Sequence, residues 1–129
     1  MRRILQGILA IWLTAMAGPV LAHEEHHHGA SAAQGQALTG EVVDVFCYLS
    51  HGKDGLGKAH ADCAKKCIKS GLPVALKVKD QLYLAAMDSH DPANAQLANF
   101  AGQQVTVHGK VMERDGQHLI SITEIDNAQ

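Results

Sequence analysis

The segment QVTVHGKVMERDGQHLISITEID, residues 104–126, decides the fold class. Val105, Val107 and Val111 alternate with polar neighbours, the period of a half-buried strand. Asp115-Gly116 is a strong hairpin turn signal. The segment therefore predicts two strands, Gln104 to Arg114 and Gln117 to Asp126, folded back on one another. Just upstream, Asp91-Pro92 has the form of a helix start, with Asp as N-cap and Pro in the first helical position. That helix is expected to run to about Ala101 and stop at Gly102, with Ala93, Leu97, Phe100 and Ala101 as its apolar stripe.

Further upstream the pattern is again β. Pro73 to Lys79 reads as a strand with Val74, Leu76 and Val78 on one face. A tight turn at Asp80-Gln81 leads into a strand from Leu82 to Met87. Residues 39–48, TGEVVDVFCY, are rich in β-branched and aromatic types and read as the first strand. Period two then puts Val43, Val45 and Cys47 on one face. Between the first two strands lie a Gly-rich loop, Ser50 to Lys58, and a short helix, about Ala59 to Lys69, capped at Gly71. The chain shows no internal repeat and no sign of a second domain.

Three strands, a helix and two strands is the order of an OB-fold, in which the helix between strands three and four plugs one end of a five-stranded barrel. The segment from Gly40 to Asp44 (GEVVD), and that from Phe100 to Val111 (FAGQQVTVHGKV) running into the hairpin that ends ISITEI, resemble small exported bacterial OB-fold (BOF-like) proteins. The likeness covers about residues 39–48 and 72–126 and leaves out the Cys-bearing insert. It implies a mainly β, OB-fold-like domain over residues 38–129 whose barrel face binds a ligand. It implies no fixed chemistry.

The N-terminus reads as an export signal. Arg2 and Arg3 precede an apolar run from Ile4 to about Ala17, and Val20-Leu21-Ala22 offers the small residues a signal peptidase reads. Cleavage after Ala22 is expected, leaving a periplasmic protein with no membrane attachment. The alternative is an uncleaved anchor, although the run is barely long enough to span a bilayer and ends at Gly18-Pro19. Residues 23–37 read as a flexible His-rich arm without apolar periodicity.

The informative chemistry lies in CYLSHGKDGLGKAHADCAKKC, residues 47–67. On a helix, His60, Cys63 and Cys67 fall within an arc of roughly 60° at ~100° per residue. Cys47 stands just before the loop that leads to this helix, so three thiols and an imidazole can converge. Three Cys and one His form a closed tetrahedral set for zinc, and soft thiolates also suit Cu(I) or an iron–sulfur centre. His51 is a second candidate imidazole. Lys65 and Lys66 flank the pair and are expected to favour the thiolate. In the arm, His23 would carry both a free amine and an imidazole, and His26 to His28 add further donors, so His23 and His26 are candidate ligands as well.

Two other readings of the cysteines stay open. An exported protein commonly pairs its Cys, so Cys47 could bridge to Cys63 or Cys67 and leave one thiol over. A redox-active pair is the third reading, without the Cys-x-x-Cys of a thioredoxin-like exchanger. Covalent haem attachment needs a different spacing, with His where Ile68 stands. No nucleophile elbow, phosphate loop or dinucleotide fingerprint is present, so no enzyme activity is expected. The chain has 11 basic and 13 acidic residues, one Trp, two Tyr and two Phe. That balance argues against nucleic-acid binding by the barrel. The lysines from Lys53 to Lys69 read as a solvated face, and His90, His108 and His118 as ordinary surface or packed residues. The sequence thus points to periplasmic handling of copper or zinc by Cys47, His60 (or His51), Cys63 and Cys67. The arm would capture metal or pass it to a metal-transfer partner protein.

Overall fold

The computed structural model describes residues 35–126. The expected export signal and the histidines His23 and His26 to His28 lie outside them. Five strands form a closed barrel in the order β1-β2-β3-β5-β4. They are β1 (Gln36–Asp44), β2 (Val74–Val78), β3 (Gln81–Met87), β4 (Gln104–Arg114) and β5 (Gln117–Asp126). All neighbours pair antiparallel except β3 and β5, which run parallel from Leu84↔Leu119 to Met87↔Ile122. This is the OB-fold-like barrel expected from the order of elements.

β1 closes the barrel by changing partner along its length. Gln36 to Glu41 pair with β4, and Glu41 to Asp44 pair with β2. Gly40 sits where the partners change: a Cβ there would lie 2.7 Å from Val78 Cγ2 and 2.9 Å from the Lys77 carbonyl oxygen. Only glycine lets the strands come so close. The long β4–β5 hairpin has the expected boundaries. Its turn is Asp115-Gly116, with φ of 51° and 75°.

The alternating residues do meet in the interior. Val42, Val74, Leu76, Leu97, Val105, Val107, Ile120 and Ile122 are all 2% exposed or less. Ala93, Leu97 and Ala101 lie in the same core, as the predicted stripe requires, and Phe100 packs against it.

Several elements differ from expectation. The first strand ends at Asp44, and residues 45–51 form helix α1 (Val45–His51). Val45 and Cys47 therefore do not share a strand face with Val43. Asp44 stops the strand: with φ −75° and ψ 121° it is the N-cap of α1, and its Oδ1 accepts the Cys47 N–H at 2.6 Å. β1 also begins early, at Gln36, inside the stretch read as arm. The insert thus holds two helices, joined by a 3-10 turn over Gly52–Gly55 and a loop. The second helix, α2 (Ala61–Lys69), matches its predicted site. The β2–β3 turn is Lys79-Asp80, one residue earlier than predicted.

The helix read from Asp91 to Ala101 shrinks to α3 (Asn94–Leu97) and a 3-10 turn at Ala98–Phe100. Asp91 is not its cap. Its carboxylate accepts the Ser89 hydroxyl, and Pro92 bridges to Ala86 of β3. The local Asp-Pro signal has lost to an extra strand contact.

Candidate metal centre

The insert is held on the barrel by its own core. Ala64 and Ile68, one α2 turn apart, are 2% and 0% exposed and pack into the main cluster. The end of α2 is fixed twice. Gly71, at φ +100°, lets the Gly71 N–H reach the Ile68 carbonyl and the Leu72 N–H reach that of Cys67, a Schellman closure. Asn94 Nδ2 then donates to the carbonyls of Ile68 and Leu72 at 2.8 and 2.7 Å. Ahead of α2, Glu41 of β1 accepts the Gly57 N–H and pins the loop leading to His60. With Ala64 and Ile68 turned inward, the adjoining stripe of His60, Cys63 and Cys67 borders the end of β1 and the start of α1.

Cys47 projects from α1 into that junction and is 5% exposed. Its Sγ lies 4.0 Å from Cys67 Sγ. Two sets of donor atoms gather here, each within 4.8 Å: Cys47, His60 and Cys63, and Asp44, Cys47 and Cys67. Cys47 belongs to both. Neither set joins Cys63 to Cys67. The predicted thiols and His60 are therefore brought together, as two overlapping groups that share Cys47 and whose Cys63 and Cys67 thiols also interact. His51 stands beside them, its ring centroid 6.2 Å from that of His60, but in neither set. His108 and His118 are elsewhere, facing Asp126 at 3.0 Å and Glu113 at 3.5 Å.

Asp44 is the residue the sequence reading missed. It is 0% exposed. While Oδ1 caps α1, Oδ2 is buried without a hydrogen-bond partner, and so is His60 Nε2. Buried polar atoms are ordinarily paired, so these two call for something to bind. The signal for Asp44 was its place three residues ahead of Cys47, the spacing of an N-cap and the amide it accepts.

The Cys47 and Cys67 thiols of the metal-free protein are held protonated. Burial first, then the Asp44 carboxylate and the Cys67 thiol, push Cys47 up to about 12 from 9.0. Burial also raises Cys67, against a partial lowering by its contact with Cys47. Cys67 is thus not the ready thiolate that Lys65 and Lys66 were expected to make it, because burial and the Asp44 carboxylate hold its proton.

All three cysteines are free: Cys47 buried, Cys67 half-buried and Cys63 exposed. The Cys, His and Asp donors lie close enough to hold a metal ion. They also fit one chemically. Sulfur and imidazole suit borderline and soft ions, and the two unpartnered atoms are lone-pair donors. No family model, curated protein or solved structure matches the chain. The site therefore has to be judged on its own geometry.

Proposed function

We propose that the protein binds a transition metal ion, copper or zinc, at the junction of β1, α1 and α2. The protein ligands are Cys47, Cys67, Cys63, His60 and Asp44. The observation that carries this reading is the pair of buried, unpartnered atoms, Asp44 Oδ2 and His60 Nε2, set beside the clustered thiols. Leaving a buried acceptor unpaired costs about 1–3 kcal/mol, and a bound cation removes that cost. The Arg2-Arg3 leader supports a periplasmic site of action, and the arm histidines His23 and His26 to His28 support metal capture. The role is binding and handing on, not catalysis. Exposed Phe46 and Leu49, 61% and 70% accessible on the helix that carries Cys47, suit contact with a metal-transfer partner. The BOF-like resemblance is consistent with such an exported binding domain.

The test is metal analysis of protein purified without an affinity tag, wild type beside the Cys63→Ser/Cys67→Ser double variant. Stoichiometric metal in the wild type and its loss in the variant is the expected result. Equal metal in both would remove the thiols from the site.

A second reading has one observation in its favour, the 4.0 Å approach of Cys47 and Cys67. In an oxidising compartment this pair is placed to close as a structural disulfide. A thiol count on freshly isolated protein separates the readings: three free thiols for the metal site after anaerobic stripping, one for the disulfide.

A further inference from the structure

The three free sulfurs are graded from the surface inward: Cys63 is exposed, Cys67 half-buried and Cys47 buried. We propose that they also form a thiol–disulfide exchange path, in which a small external disulfide reacts first at Cys63 and the oxidation comes to rest as a Cys47–Cys67 bond. The exchange itself needs no metal. Its effect on a bound ion rests on the metal-binding reading and makes that site one that empties on oxidation.

Three observations carry the path. First, each sulfur is within reach of the other two. Cys47 Sγ lies 4.0 Å from Cys67 Sγ and within 4.8 Å of Cys63 Sγ, and the thiols of Cys63 and Cys67, four residues apart on α2, interact. Second, exchange needs an outside sulfur to approach the attacked thiol, and only Cys63 is exposed. Cys47, 5% exposed, is closed to a bulky oxidant. Third, the bonds are unequal. Linking Cys63 to Cys67 draws together two Cβ atoms about 5–6 Å apart on one helix, where a disulfide wants about 3.8 Å. Linking Cys47 to Cys67 joins two separate helices, α1 and α2, and puts the bond beneath Cys63, out of reach of further exchange.

The steps balance. The Cys63 sulfur attacks an external disulfide RSSR, its S–S bond breaks, and one RSH leaves with the Cys63 proton. One inner thiol, Cys67 or Cys47, attacks the Cys63 sulfur and releases the second RSH. The other inner thiol then attacks that partner, which closes Cys47–Cys67 and returns a proton to Cys63. In sum one RSSR is reduced to two RSH, and two protein thiols become one disulfide. A bound ion thereby loses two sulfur ligands, and Cys47 is the one common to both donor groups.

The test mixes the reduced, metal-free full chain with glutathione disulfide, quenches with acid at intervals, alkylates and maps the peptides. Glutathione is expected on Cys63 before any other cysteine. It is then lost as the Cys47–Cys67 bond grows, and Cys63 ends as a free thiol. In Cys63→Ser the same bond should form at least about tenfold more slowly. An unchanged rate in that variant, glutathione first on Cys67, or an end product that keeps Cys63 oxidised overturns the path. Should the variant unfold, the wild-type time course decides alone. Repeating the experiment on zinc-loaded protein separates the path from the metal site. Zinc should leave in step with the Cys47–Cys67 bond. A loaded protein that resists oxidation overturns the emptying alone. Zinc that stays after the bond is complete, or a chain that takes up no zinc, overturns the thiol ligands and leaves the exchange path standing.

Discussion

Replacing Asp44 with Asn should stabilise the metal-free protein and weaken its response to metal. The Asp44 side chain has two separable roles. Its Oδ1 caps α1 through the Cys47 N–H at 2.6 Å, and its Oδ2 is buried with no partner. Asn and Asp are nearly equivalent N-caps, so the first role survives and its change in energy is close to zero. The second role is where the sign is set. Asn trades an unpaired buried carboxylate oxygen for an unpaired but neutral N–H2, so the relief is only the difference between the two penalties, on the order of 1 kcal/mol. In a domain of this size each kcal/mol moves the Tm by roughly 4–8 °C, so the metal-free variant should melt about 4–8 °C higher than the wild type. With zinc the order of the gains reverses. An ion at a hundred times its Kd adds about 2.7 kcal/mol, and every tenfold loss of affinity on removing the carboxylate takes back about 1.4 kcal/mol. The control is Asp44→Ala, which gives up the cap as well at about 0.5–2 kcal/mol. Thermal unfolding by circular dichroism, reduced and with or without zinc, reads all three proteins. A metal-free Asn variant that melts below the wild type would refute the reasoning, because the buried carboxylate would then cost the folded chain no more than a neutral amide does. An unchanged gain on adding zinc would take Asp44 out of the ligand set.

Mild oxidation of the metal-free protein should link Cys47 to Cys67, whose sulfurs are 4.0 Å apart, and leave exposed Cys63 to take one alkylating group. Peptide mapping that found Cys63 bonded to Cys67 would contradict this placement, and the oxidised protein should take up no zinc. Stability should also depend on pH with a definite sign. The Cys47 thiol is raised by burial to about 12 in the fold against 9.0 ordinarily, so the folded chain holds its proton more tightly than the unfolded one. The stability this contributes is complete below pH 9 and drains away as the pH climbs toward 12. The urea midpoint of the metal-free protein should fall over that window, and Cys47→Ala should flatten the fall. Ile68→Ala should cost about 2–5 kcal/mol, since Ile68 is 0% exposed and anchors α2 in the barrel core. Urea unfolding with an unchanged m-value would check it, and a cost under 1 kcal/mol would mean that α2 is not fixed by that side chain.

The barrel was legible because its strands obey simple rules. In β4 and β5 the alternation of Val105, Val107, Ile120 and Ile122 and the Asp115-Gly116 turn agree, and both strands end where the pattern says. The reading failed where local preferences opposed one another. Val45, Phe46 and Tyr48 are strong strand formers, yet the Asp44 cap turns them into helix α1. Asp91-Pro92 is a good helix start, yet Pro92 is drawn to Ala86 and Asp91 to Ser89, which leaves one short turn of helix. The site followed the same division. Helical spacing was enough to group His60, Cys63 and Cys67. The position of Cys47 opposite them depends on α1, and the burial of Asp44 depends on the packing of β1 under α2, neither of which periodicity reports.

The claim beneath all of this is that sulfur from Cys47 and its neighbours binds the metal. X-ray absorption at the zinc edge of the full, reduced protein tests it most directly. The account predicts a shell dominated by sulfur at ~2.3 Å, with one or two nitrogen or oxygen neighbours at ~2.0–2.2 Å. A shell of nitrogen and oxygen alone, as the His23 and His26 arm would give by itself, would contradict it.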